Sequence, residues 1–96
     1  MPGYKLTNAA DRDLENIIIY GTEHFGQSEA ISFYEGLLGT INNIVAEPSQ
    51  YPFVFKSKDK FQKAVYKTYA IFFVQRPEHI EIVRVLRREN YQHLLV

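Results

Sequence analysis

The sequence predicts an α+β domain: a short N-terminal strand, an antiparallel helical hairpin, then a three-stranded antiparallel sheet, all in one domain over residues 1–96. Three observations carry that expectation. Two stretches before Pro48 repeat apolar residues at helical spacing, whereas three stretches after residue 60 are rich in β-branched and aromatic residues. A length of 96 residues suits one hydrophobic core and leaves little room for a second.

Tyr4-Lys5-Leu6 alternates between the breakers Pro2-Gly3 and Thr7-Asn8, as a short opening strand would. Thr7 or Asn8 then offers an N-cap, and Asp11 and Asp13 lie where a helix N-terminus favours negative charge. Ala10, Leu14, Ile17, Ile18 and Gly21 recur at helical spacing, which predicts a first helix over residues 9–23 stopped by Gly26. Ser28 is the next N-cap candidate, with Glu29 in the first turn. Ala30, Tyr34, Leu37, Ile41 and Ile44 form the second stripe, flanked by Phe33, Leu38 and Val45. Pro48 ends this helix near Ala46. Gly36 and Gly39 inside it cost about 1 kcal/mol each against Ala, and the expected return is close approach of the first helix. A linker of about four residues makes the pair an antiparallel hairpin.

Residues 47–60 change character. Pro48, Pro52 and Lys56-Ser57-Lys58-Asp59-Lys60 read as an irregular, solvated connection. Strands follow over residues 61–66, 69–75 and 80–86, with Arg76-Pro77-Glu78-His79 as the turn between the last two. Residues 88–94 suit one helical turn or an extended arm. One sheet face needs a cover, and the amphipathic hairpin is the cover available. The expected core is therefore Leu14, Ile17, Ile18, Leu37 and Ile41 against Ile71, Phe73, Ile82 and Val85.

Composition excludes several chemistries. The chain has no Cys, hence no disulfide framework, zinc ribbon, iron–sulfur cluster or thiol nucleophile. Its longest apolar runs, such as residues 70–74, fall far short of the ~20 residues a membrane helix needs. Polar residues near the start argue against a secretory signal, so a cytoplasmic location is expected. His24, His79 and His93 fall in separate elements without metal-ligand spacing, and no metal or other cofactor is expected. Gly3, Gly21, Gly26, Gly36 and Gly39 match no phosphate loop, and Ser28, Ser32, Ser49 and Ser57 no nucleophile elbow. Asp11, Asp13 and Glu15 read as helix-dipole and solubility groups rather than a glycosidase pair.

Charge gives a positive clue. The formal net charge is zero, but residues 1–50 carry 2 basic and 7 acidic groups while residues 51–96 carry 9 basic and 4 acidic. The folded molecule should therefore have a basic side. Lys56, Lys58, Lys60, Lys63, Lys67, Arg84, Arg87 and Arg88 are interleaved there with Phe61, Tyr66, Tyr69 and Tyr91. Cations among aromatic rings suit single-stranded nucleic acid or an acidic protein segment. The plain alternative is solvated charge on the outer face of a sheet.

The string Tyr4-Lys5-Leu6-Thr7-Asn8-Ala9-Ala10-Asp11-Arg12-Asp13-Leu14-Glu15-Asn16-Ile17 resembles the opening of the ParE toxins, within the ParE/RelE superfamily of type II toxin–antitoxin modules. Tyr20, Phe25-Gly26, Ala30, Tyr34, Leu37, Ile41 and Pro48 continue the likeness. Ile71-Phe72-Phe73 resembles the family's I-F-Y strand, and Ile80-Glu81-Ile82-Val83-Arg84-Val85-Leu86 its E-I-x-R-V-L strand. Lys67-Thr68-Tyr69 stands where the family commonly has Gly-Ser-His, and Arg87 where a His commonly follows.

The resemblance implies the RelE/ParE-like fold and an intracellular bacterial toxin paired with a ParD-like acidic antitoxin. It implies inhibition of DNA gyrase by protein–protein binding, with no catalytic residue, no direct nucleic acid and no membrane. The basic groups then divide into expected antitoxin contacts, Lys63, Lys67, Tyr69, Arg84 and Arg87, and expected target contacts, Arg84, Arg87, Arg88, Tyr91 and His93. The alternative is a RelE-like ribosome-dependent mRNA endonuclease. Lys63, Arg84, Arg87, Tyr91 and His93 would there supply proton transfer and phosphate charge. A net charge of zero gives such an enzyme little attraction to ribosomal RNA.

Overall fold

The computed structural model describes residues 3–54 and 60–87 of the chain. The order is β1 (Tyr4–Leu6), α1 (Asn8–Phe25), α2 (Gln27–Ala46), a 3-10 turn (Pro48–Gln50), β2 (Gln62–Tyr66), β3 (Tyr69–Gln75) and β4 (Ile80–Arg87). The architecture is α+β, as the periodicities predicted. The expected tail over residues 88–94 lies outside the described residues. Among the described residues, no helix is long and apolar enough to cross a membrane.

The sheet differs from the expected three antiparallel strands. Among the described residues it has four, in the order β1-β4-β3-β2. β1 joins β4 in parallel, Tyr4 opposite Ile80 and Leu6 opposite Ile82, while the other two pairs are antiparallel. Three alternating residues reveal a strand, but not which strand it pairs with; that partner lies at the far end of the chain. Thr7 completes the junction with three bonds. Its N–H donates to the Ile82 carbonyl at 3.0 Å, its hydroxyl donates to the Val83 carbonyl at 2.8 Å, and Oγ1 accepts the Ala10 N–H at 3.0 Å. The last bond is the predicted N-cap of α1.

The helices are joined more tightly than the sequence suggested, with Gly26 alone between them rather than about four residues. Its φ of 91° and ψ of 162° belong to a region that side chains resist. The Gly26 N–H donates to Thr22 O and its carbonyl accepts from Ala30 N, both at 3.1 Å, so one residue closes α1 and opens α2.

The core lies between hairpin and sheet, as expected. Leu14, Ile17, Leu37, Ile41, Ile71, Phe73, Ile82 and Val85 are buried there, with Ala10, Ile44, Ala64 and Ile80 added; Ile18 is only half-buried. The other sheet face is not bare. Ala70 and Phe72 are buried on it with Val54 and Leu86 against them, so the connection after α2 helps cover a second face, for which no cover was expected. Gln62, fully buried, ties that connection down. Its Nε2 donates to the Pro48 and Tyr51 carbonyls at 2.8 and 3.0 Å, and its Oε1 accepts from Gln75 Nε2 at 2.8 Å.

The two helical glycines also play different parts from those expected. A methyl group at Gly36 would overlap the Tyr66 hydroxyl, with the ring Cζ only 2.7 Å away, whereas one at Gly39 would meet nothing within 4 Å. Gly36 therefore admits a ring from β2, not the first helix.

Candidate functional site

One irregularity in β4 organises the site. The β3–β4 register shifts at Phe72/Phe73: Phe72 faces Arg84 but Phe73 faces Ile82, so Val83 is left over as a bulge. Strict alternation from Ile80 and Ile82 would carry Arg84 and Leu86 onto the hairpin side. The extra residue switches the phase. Val85 enters the core beneath the hairpin, Leu86 joins the opposite face, and Arg87 arrives on the hairpin side opposite Tyr69.

Arg87 and Tyr69 there line a cleft of about 350 Å³ with Ile17, Tyr20, Phe25 and Phe33. The cleft lies where the Gly26 end of the hairpin overhangs the β2–β3 turn, and Gly21, Glu29 and Thr68 complete its walls. A second hollow of about 290 Å³ shares Ile17, Tyr20, Tyr69 and Arg87 and continues along α1 to Asp13 and Arg84. The two form one groove between α1 and the C-terminal part of the sheet.

Aromatic rings dominate its walls. Tyr20 stacks on His24 with centroids 4.0 Å apart and meets Phe25 edge-on at 6.3 Å. Phe33 meets Tyr66 at 5.2 Å and Tyr69 at 5.5 Å, both edge-on. Such offset and edge contacts are the favourable aromatic geometries and hold the walls in place. Phe25, in the cleft wall, is 66% exposed, so much of its ring faces solvent.

Cations stand over these rings. The Arg87 guanidinium carbon lies 5.8 Å from the Tyr20 centroid, and Lys67 Nζ lies 5.8 Å from Phe33 and 5.7 Å from Tyr66. Contacts of this length at exposed sites are worth ~0.5–1 kcal/mol. Lys67 also occupies the first position of the two-residue β2–β3 loop with φ of 54°. That left-handed conformation costs a residue with a side chain about 1–2 kcal/mol. The ring contacts therefore offset the backbone cost at best.

Arg84 is held differently. Its Nε and Nη2 donate to the two Asp13 carboxylate oxygens at 2.8 and 3.0 Å, and Asp13 Oδ2 also accepts the Val85 N–H at 2.9 Å. β1 pairs with β4 only as far as Ile82, so Asp13 covers the edge that β1 leaves open. The bond to Asp13 raises the Arg84 pKa above its ordinary value, against a smaller opposing effect of desolvation.

Of the residues singled out from sequence, Tyr69 and Arg87 meet in the cleft, Lys67 stands at its edge, and Arg84 lines the adjoining hollow. Lys63 does not join them; it pairs with Phe72 and alternates onto the far face of the sheet. Arg88, Tyr91 and His93 lie outside the described residues, as do Lys56 and Lys58. Among the described residues, no three His, Cys, Asp or Glu side chains converge as metal ligands. Charge counting missed Tyr20, Phe25 and Phe33, because the site's apolar walls come from the acidic half of the chain. The signal was present as aromatic residues beside, not within, the core stripes of the two helices.

A family model described as "ParE toxin of type II toxin-antitoxin system, parDE" matches residues 4–91. No curated protein sequence gives a significant match. Among solved structures, the fold is similar to one described as "Chromosomal ParDE TA system from P. aeruginosa". The TM-score is 0.79 at 17% identity, over 91% of this chain and 96% of that one. Identity that low speaks for the fold alone. The family match takes in both described helices and the four described strands, and on it the chain belongs to the ParE toxin family of type II toxin–antitoxin systems.

Proposed function

We propose that this chain is the toxin of a type II module, that it inhibits DNA gyrase in the cytoplasm by protein–protein binding, and that an acidic antitoxin segment neutralises it by lying in the groove. The observation that carries this reading is the aromatic cleft with Arg87 in its wall and Lys67 at its edge. Apolar side chains of a partner would fill the cleft and carboxylates would meet the cations. Buried apolar contact supplies the larger share of such affinity, since exposed ion pairs contribute only ~0–1 kcal/mol each.

The placement of Arg84 favours binding over RNA cleavage. Its guanidinium is bidentate on Asp13 and so already partly neutralised, which suits a structural strut better than a phosphate clamp. The target contacts are proposed at Arg87 together with Arg88, Tyr91 and His93, which lie within the next six residues of the chain.

The purified protein should be added to a gyrase supercoiling assay and, separately, to ribosomes translating a defined mRNA. The reading predicts inhibited supercoiling or stabilised DNA breaks with intact mRNA. Codon-specific mRNA cuts that disappear on Arg84→Ala, with supercoiling untouched, would reverse it in favour of the endonuclease.

A further inference from the structure

Lys67 is an exposed lysine at the first position of a two-residue hairpin loop, with φ of 54°. Primed hairpin turns place glycine or asparagine at such positions because a Cβ there crowds the backbone. Tyr66 and Tyr69 close the loop as a cross-strand pair, so the turn has no slack with which to relieve the strain. The ammonium meanwhile rests over Phe33, which lines the cleft beside Tyr69, and over Tyr66, which packs edge-on against Phe33. Folding thus gives no net reason for a lysine here. Arg87 is fixed at the other end of this aromatic wall by the β4 bulge, over Tyr20.

We propose that Lys67 is held in a left-handed conformation for recognition rather than for folding: its ammonium at the rim of the aromatic cleft selects an antitoxin segment that carries a carboxylate beside its apolar anchor. The inference rests on the antitoxin reading above and adds the residue that discriminates among acidic partners. Charge complementarity supplies the occupant's chemistry, because Lys67 and Arg87 flank rings that already exclude water from one side of any ion pair formed there. A neutral residue at 67 would leave the apolar cleft unchanged and remove one of the two flanking charges. Specificity would then fall further than affinity, as expected when a charge at the edge of an interface is lost.

The test uses the full chain with Lys67→Gly, Lys67→Gln and Lys67→Arg, and as the probe the ParD-like acidic antitoxin expected from the adjacent reading frame. A second probe is that same product with the acidic residues of its toxin-binding segment changed to Asn and Gln. Glycine should leave the melting temperature unchanged or raise it by up to about 5 °C. Gly and Gln variants should each bind the acidic probe about three- to fivefold more weakly at low salt, mainly through the on-rate. Arg should restore binding. Against the neutralised probe, wild type and variants should bind alike. A glycine variant that melts more than about 3 °C below wild type would make Lys67 a structural residue and overturn the proposal. So would variants that bind the acidic probe as well as wild type does. Failure of the wild-type chain itself to bind the acidic probe would instead overturn the antitoxin reading, and this inference with it.

Discussion

Arg84 donates through Nε and Nη2 to both carboxylate oxygens of Asp13, at 2.8 and 3.0 Å, and so joins α1 to β4 across 71 positions of sequence. The same carboxylate accepts the Val85 N–H at 2.9 Å on the strand edge beyond β1. Asp13 is therefore the more demanding member of the pair. Its side chain is 13% exposed against 44% for Arg84, so solvent screens the arginine much more. Asp13→Ala should cost about 2–3 kcal/mol, since it strands a backbone donor as well as the charge. Arg84→Ala should cost only about 0.5–1 kcal/mol. Urea unfolding of the two single mutants and the double mutant checks the order and the coupling. The raised Arg84 pKa fixes the sign of the pH response. A group whose folded pKa is raised contributes fully below its unfolded value and loses that contribution only as pH rises through the folded one. Both lie above the usual working range, so the arginine's side of the pair should be constant from neutral to mildly alkaline pH.

Gly36 and Gly39 should respond oppositely to alanine. At Gly36 the added methyl displaces the Tyr66 ring, and overpacking of this kind costs about 1–3 kcal/mol. At Gly39 the space is open, and helix propensity alone should stabilise the protein by about 0.5–1 kcal/mol. Thermal melts of the two variants side by side distinguish them. Equal effects would mean that Tyr66 does not occupy the notch above Gly36.

Leu37 is fully buried at the centre of the hairpin–sheet core. Truncation to alanine should cost roughly 2–5 kcal/mol, a large share of the stability of so small a domain. A loss below about 0.5 kcal/mol in denaturant titrations would remove it from the core.

Gln62 makes three hydrogen bonds while wholly buried, two of them to carbonyls of the connection after α2. Leucine of similar size leaves the Pro48 and Tyr51 carbonyls without these donors and should cost about 1–3 kcal/mol. Amide exchange should show faster exchange at Tyr51 and Lys63, whose N–H groups pair within this connection.

Much of the fold was legible in the sequence because helical stripes and caps are local. Thr7 caps α1, Pro48 follows the end of α2, and the stripe from Ala30 to Ile44 faces the core. The departures are long-range. β1 finds its partner 76 residues away, and Gly36 meets a ring from β2 rather than the neighbouring helix. The candidate site was read less fully. Charge asymmetry pointed to Lys67, Tyr69 and Arg87, but the bulge at Val83 decides that Arg87 faces the hairpin, and no local pattern in Ile80–Arg87 announces it. Asp13 shows the same limit, since a carboxylate near a helix start gives no sign of a strand edge beyond it.

In the proposed complex, apolar contact in the cleft would hold an acidic antitoxin while Lys67 and Arg87 draw it in. Stopped-flow association with the ParD-like acidic antitoxin expected from the adjacent reading frame, across a salt series, tests this for wild type and for Lys67→Glu combined with Arg87→Glu. Wild-type association should slow steeply as salt rises while dissociation barely changes, and the double reversal should lower the on-rate mainly at low ionic strength. An on-rate indifferent to salt, or amide protection on binding that spares Tyr20, Phe33 and Tyr69, would contradict the account.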